Sequence, residues 1–507
     1  MTTPAKLDRG TLVACCLAVA IAQMCITIPA PINGAITSAF GASGSQVAWV
    51  TSAFILPTAI LELNFGVVGD MFGRKRLLVL GGLVLAVGEL LNATAQNIHW
   101  LWIGQAVAGM GAAALFPSSL AVIAAATPES QARAKALSTW ALSISIASAL
   151  GPLLSGGIAE SGDFRWAFAP PAVIGLVAAV VCWRFVTDSK APDGRSLDWP
   201  GQISVAVALF AVLWAVIQGS SMGWGNGAVV AAFVIAGVFL IAFVVAELRS
   251  AAPMMNLALL RIPAFAGAAG VALVGMLGFI GTAYCVSIRL GAVMHLSPLR
   301  AGLPFVILQA IPLLLAPVLS RLLGQTNPRW LLLAGLLPMA AGQFWLSAIP
   351  ITTTSLPAFI GPVLLLGVGF IFVVSSLTAA AVNAVPIHLT GMASGATSLV
   401  REFGQALGPA VISAVAMGVA SSALAGKLSG AGAAVNHAGG PLAVVNVPAV
   451  GATAHAAARS ALAHGLSVGM VVCGIASLVG AVITVVVVRP DSSGRTVDAT
   501  ATDPLPA

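Results

Sequence analysis

The chain has 507 residues, of which 59% are hydrophobic and only 7% charged, with a formal net charge of +7. Its mean hydropathy of +1.03 excludes a soluble globular protein. The excess of Lys and Arg is what membrane topology requires and is no nucleic-acid footprint.

Apolar stretches of about 20 residues recur along the whole length, each long enough to cross a bilayer as a helix. The fold class is therefore an all-α polytopic membrane protein. Fourteen spans are predicted, over 11–31, 46–67, 77–96, 99–122, 136–159, 166–186, 199–218, 227–247, 264–288, 301–320, 330–349, 357–381, 396–420 and 463–488. Most connections are short. The exceptions are 187–198 and the Ala-, Gly- and Val-rich stretch 421–462, expected over the outer face and partly as an interfacial helix. With the N-terminus inside, 17 of the 22 Lys and Arg fall in inner segments and 5 in outer ones. That bias predicts N-in, C-in and an even number of spans. All six cysteines lie in apolar runs without metal-ligand or disulfide spacing. "LVAC" at 12–15 lacks the apolar run that precedes a leader's cleavage site.

Four charges crowd into "GVVGDMFGRKRLLVLGG", residues 66–82, after span 2. A related stretch, "SRLLGQTNPRWLLLAGL", follows span 10, with Arg321 where Asp70 stands and Gly324 matching Gly73. Span 10 is the second helix of a second set of six. The expected organisation is therefore 1–186 as one six-helix bundle, 187–263 carrying two inserted helices, and 264–488 as a second bundle. Residues 489–507 form a cytoplasmic tail. Repeated halves around a central cavity are a transporter architecture.

At this point the sequence resembles the major facilitator superfamily, and within it the fourteen-helix drug:proton antiporters. Gly66, Asp70, Gly73, Arg74 and Lys75 match the signature loop between helices 2 and 3. "SALGPLLSGG" at 148–157 is similar to the antiporter motif of helix 5 through Gly151, Pro152 and Gly156. "DFRWAF" at 163–168 looks like the family's approach to helix 6, and "ASGATSLVREFGQALGPA" at 393–410 resembles its helix 13 pattern. The resemblance implies alternating access and multidrug-type efflux of hydrophobic or amphipathic compounds, driven by proton antiport. Two departures leave the energy source open. Ala22, beside Gln23, stands where relatives carry an acidic residue in helix 1, and Gln105 replaces a helix 4 arginine. An uncoupled facilitator, or a lipid or metabolite exporter, of the same fold remains the alternative.

Asp70 ends span 2, where a carboxylate can face the positive N-terminal end of another helix. It is expected to clamp the halves on the inner side with the start of helix 13, near Arg401, while Arg74 and Lys75 add pairs. Arg76 reads as a topology determinant. Gly151, Pro152 and Gly156 serve either tight packing or a bend that controls outer closure. Glu62 and Glu89 lie inside spans, where a charge normally faces a cavity or a partner. Each is either a proton- or substrate-handling group or a satisfied structural carboxyl. Gln23, Gln105 and Gln309 either touch substrate or hydrogen-bond between helices. Trp140 and Trp214 are candidates for an aromatic wall. The six histidines form no ligand cluster, and neither a P-loop nor an HExxH motif occurs. No enzyme, metal or cofactor is expected; the expected partners are a small-molecule substrate, the proton and the bilayer.

Overall fold

The computed structural model describes residues 8–127, 129–190, 197–250, 253–323, 325–385, 389–427, 440–446 and 452–488. Gly324, the tail 489–507, and parts of 187–198 and 421–462 lie outside the described residues. The described chain is helical. Its α-helices are α1 (Arg9–Thr27), α2 (Pro29–Phe40), α3 (Gly44–Phe72), α4 (Arg74–Ala93), α5 (Ile98–Ala126) and α6 (Ser130–Ser161). They continue with α7 (Ala169–Phe185), α8 (Trp199–Met222), α9 (Gly227–Arg249), α10 (Pro263–Ile288) and α11 (Pro298–Leu323). The last are α12 (Pro328–Ala348), α13 (Pro357–Asn383), α14 (Thr390–Lys427), α15 (Pro441–Asn446) and α16 (Ala452–Val487). Fourteen helices are long and apolar enough to cross a membrane; α2 and α15 are the short additions.

Polar side chains mark where helices begin. Asp8 accepts from Thr11 N–H, and Ser43 and Gln46 form a reciprocal capping box at α3. Asn97, Asn226 and Asn327 cap α5, α9 and α12. The span expected over 11–31 is instead a pair. Pro29 and Pro31 have no N–H, so the ladder breaks at Ile28 while the backbone stays helical into α2. The last span starts at Ala454, nine residues before the position read from sequence, because an Ala-rich turn of weak periodicity continues the helix.

By contact, α1 and α3–α7 pack on one another as one group of six spans and α10–α14 and α16 as another, here called the two bundles, with α8 and α9 between them in sequence. The bundles meet along two seams. Span 2 of the first, α3, packs on span 5 of the second, α14; span 5 of the first, α6, packs on span 2 of the second, α11. That reciprocity is the signature of a two-fold related pair. α8 lies along the α3–α14 seam, where Gln202 Nε2 donates to Ile60 O at 2.6 Å. α9 rests on α8 and exposes Ile241, Val234 and Leu248, as a lipid-facing helix does.

Small residues close one side of the molecule. A Cβ on Gly34 of α2 would lie 2.8 Å from Gly291 Cα, and one on Gly302 would lie 2.9 Å from Pro152 O. Gly156 meets Pro298 O at 2.8 Å in the same sense, and Leu299 N–H donates to Glu160 Oε2 at 3.2 Å. Gly291 sits in a π-helical turn, Arg289–Val293, that ends α10. Just beyond it His295 has φ 49. Burial, then Arg459 and His455, hold its imidazole below its ordinary pKa.

On α11, Ala316, Pro317 and Val318 are exposed in succession, and on α6 so are Ala141 and Leu142.

Gly34→Leu is expected to hold the closed side apart, because the added carbons meet backbone that cannot move aside. Pulsed dipolar EPR between spin labels at the exposed Ala39 and Arg300 checks this. The distance should lengthen relative to the unsubstituted labelled protein.

Candidate functional site: a cavity between the two bundles

A cavity lies where the bundles meet, with about 730 Å³ of space between atoms, solvent at its mouth included. The first bundle supplies Gln23 and Thr27 from α1, Thr51 from α3 and Pro152 from α6, with Asn33 from α2. The second supplies Phe279 and Tyr284 from α10, Gln309 from α11, Phe370 from α13 and Gln405 from α14. The roof is the closed side. There Asn33 Nδ2 donates to Ser287 Oγ at 3.0 Å, and that hydroxyl donates to Ala30 O. Tyr284, the chain's single tyrosine, donates to Gly44 O at 3.0 Å and stands 3.2 Å from Ser413 Oγ. Phe279 and Phe370 stack, with ring centroids 4.2 Å apart and planes 16° from parallel.

The predicted residues divide. Gln23, Gln309 and Pro152 line the cavity. Gly151 packs against Thr27 Oγ1 and Met24 O, and Gly156 belongs to the closed seam; the antiporter motif thus runs along the cavity roof. Gln105 does not reach the cavity. It is fully buried, and neither amide atom has a partner. Glu89 is also fully buried, with Asn92 Nδ2 donating to its Oε2 at 3.4 Å and Cys25 beside it. It is held inside the first bundle between α4 and α1. Trp140 donates to Ser119 Oγ, and Trp214 packs among Ala215, Val229 and Ala232 of the α8–α9 pair; neither forms a cavity wall. Sequence reasoning did not single out Asn33, Thr51, Phe279, Tyr284, Phe370 or Gln405. Gln405 did carry a signal, standing one helical turn after Arg401 in the quoted helix 13 stretch.

The charged loop forms a separate site. Arg74 donates through Nη2 to Asp70 Oδ1 at 2.7 Å and through Nη1 to Ala121 O at 3.3 Å. Gly73 has φ 116, a conformation that favours glycine. Asp188, beyond α7, accepts from Lys75 N–H at 3.2 Å and fills the space where a Gly73 side chain would lie. A carboxylate from a distant loop therefore caps α4. Gly66 faces Pro117 with room to spare, and Arg76 is exposed.

The α3–α14 register places Asp70 and Arg401 apart. Ser52 Oγ donates to Ala406 O, and eleven residues on in α3, Leu63 meets Gly395, eleven back in α14. Continued to Asp70, that register comes within about one turn of Thr390, the start of α14. Arg401 lies opposite Pro57 instead, about 20 Å along the axis from Asp70 at 1.5 Å per residue. The expectation that Arg401 sits near the inner end of its helix is corrected: α14 begins earlier than the span read from sequence. Arg401 Nη2 pairs with Glu402 Oε1 at 2.8 Å, and both charges act on Glu62 of α3. The pair lies one turn from Gln405 and faces Glu62 across the α3–α14 seam. Among the described residues no group of three or more His, Cys, Asp or Glu side chains could hold a metal ion.

Comparison with known proteins fits this architecture. Residues 15–409 match the model of the Major Facilitator Superfamily. The multidrug resistance protein Stp of Mycobacterium tuberculosis is 29% identical over 74% of this chain and 70% of its own length. The puromycin resistance protein pur8 of Streptomyces alboniger is 30% identical over 76% of this chain and 77% of its own. Among solved structures, a bacterial homologue of the human lysosomal transporter Spinster, inward-facing and unoccupied, superposes with a TM-score of 0.65 at 15% identity, covering 94% of this chain and 96% of that one. The likeness to Spinster is one of fold. The family match spans most of the chain, and with it this multi-pass integral membrane protein belongs to the Major Facilitator Superfamily, as a transporter and not an enzyme.

Proposed function

We propose that the protein exports amphipathic small molecules from the cytoplasm by alternating access, driven by proton entry. The observation that carries this reading is a cavity lined by both bundles and roofed by a tightly packed side. The resistance-protein names of its relatives support the direction of transport. The bias of Lys and Arg supports an N-in, C-in orientation, in which the Asp70 side is cytoplasmic and the cavity faces the cytoplasm.

Rocking of the bundles then has to close the Asp70 side and open the Gly34 side. Asp70, steadied by Arg74, is set to hold the N-terminal end of α14 when the inner side closes. Glu62, Arg401 and Glu402 carry a combined charge of −1 and bridge the bundles. One proton makes the group neutral and changes how strongly α3 holds α14, which biases the rocking equilibrium. Glu62 thus takes the role that the resemblance assigns to an acid in helix 1. Glu89, enclosed within one bundle, is given a structural role.

A second reading, an uncoupled facilitator, draws on a specific observation. Among the described residues no carboxylate lines the cavity, and Ala22 and Gln105 occupy the positions usually charged in relatives.

In proteoliposomes with an imposed pH gradient, a fluorescent amphiphile is expected to accumulate against its own gradient. Equilibration without accumulation supports the facilitator instead. Glu62→Gln should abolish the pH dependence while leaving downhill exchange; an unchanged pH profile removes Glu62 from coupling. Asp70→Asn should keep expression but slow transport about 5- to 30-fold, the factor that corresponds to 1–2 kcal/mol of lost helix-end attraction. Wild-type turnover in that variant would dismiss the gate. Glu89→Leu should cost about 1–3 kcal/mol, because Asn92 loses its acceptor in a dry interior, and lower the Tm. Glu89→Gln should retain both Tm and transport, and loss of transport at an unchanged Tm would give Glu89 a coupling role.

A further inference from the structure

The lining of the central cavity is chemically selective, and its selectivity follows from what kinds of groups are present. Three primary amides, Gln23, Gln309 and Gln405, enter it from three helices and two bundles. Each is half-buried, and none makes a side-chain hydrogen bond within the protein among the described residues. Asn33 is 2% exposed, and its Oδ1 has no partner. A buried polar atom without a partner costs free energy unless a ligand or water supplies one. These amides therefore present both donors and acceptors that await a guest. Among the described residues, no Asp, Glu, Lys, Arg or His lines the cavity. Arg401, one turn from Gln405, is already paired with Glu402 and faces Glu62. A cationic guest would leave water for a site without a counter-charge, which is costly in a low-dielectric interior. On the second bundle the Phe279–Phe370 stack offers a flat apolar slab, suited to an aromatic face.

We propose that this cavity selects uncharged, planar aromatic amphiphiles bearing amide or hydroxyl groups, and discriminates against permanent cations. The stack takes the ring system. Gln23 and Asn33 from one side and Gln309 and Gln405 from the other take the polar substituents. Because these amides come from both bundles, a guest that engages all of them bridges the halves and is released when they separate. The inference rests on the reading of this cavity as the transport site.

The test uses two probes of one scaffold, a coumarin carboxamide and the coumarin in which a trimethylammonium group replaces the amide. Binding to the purified full-length protein in detergent is followed by fluorescence polarisation, and transport is followed in proteoliposomes. The carboxamide should bind and move at least about tenfold better than the cation. Gln309→Glu, and separately Gln23→Glu from the other bundle, should each narrow or reverse that ratio, with folding checked by Tm. If the unsubstituted protein handles both probes equally, the selectivity proposal is overturned while export stands. A ratio unchanged in two folded Glu variants overturns it as well, since the lining would not set the preference. If neither probe binds or moves, the cavity is not the transport site, and export through it falls together with this inference.

Discussion

Backbone-to-backbone contact between the two bundles is the constraint on which the rest of the structure depends. Gly34 against Gly291, Gly302 against Pro152 and Gly156 against Pro298 bring main chains closer than any side chain would allow. In a membrane no hydrophobic effect drives helices together, so close approach and the dispersion it provides must do so. That contact shuts one side, and the central cavity lies beneath it between the bundles. The π-helical turn that follows α10 is a local distortion at this contact, and Pro152 within α6 leaves a backbone carbonyl there without its helical donor.

Charge is arranged around that geometry and kept out of the cavity itself. The Asp70–Arg74 pair lies at the far end of α3, and the Glu62–Arg401–Glu402 cluster lies between that end and the cavity. Both touch the α3–α14 seam, the second of the two seams that join the bundles. The first seam is built from small residues and closes by shape. The second carries ionisable groups whose strength of attraction depends on protonation and on the relative position of the halves. The rocking motion proposed here therefore has a steric stop at one end and an electrostatic latch at the other. The amides of the cavity stand between them and offer a guest hydrogen bonds without a buried unpaired charge.

The fold was largely legible in the chain. Span length and the spacing of apolar runs are set by bilayer thickness, so fourteen spans follow from composition and period alone. The crowded charges of 66–82 identified the loop, and Gly151, Pro152 and Gly156 identified the helix that forms the closed seam. The candidate site was legible in part. Gln23 and Gln309 stood out because a polar amide in an apolar run is conspicuous. Phe279 and Phe370 were invisible, since an aromatic residue in a greasy helix looks the same whether it faces lipid, core or cavity. Glu89 and Gln105 stood out for the same reason as Gln23, yet they turn into one bundle and not between the two.

The sequence by itself determined the number of membrane spans and the places where glycine and proline permit close approach. These are properties of single segments in a solvent of fixed thickness. Only the tertiary structure decided which polar groups share a space. Arg401 was read as a neighbour of Asp70, but α14 starts earlier than its apolar core and runs antiparallel to α3, which carries Arg401 to the level of Pro57 and into the reach of Glu62. Partnership across a seam depends on register and facing, and neither is encoded in the hydropathy of one helix taken alone.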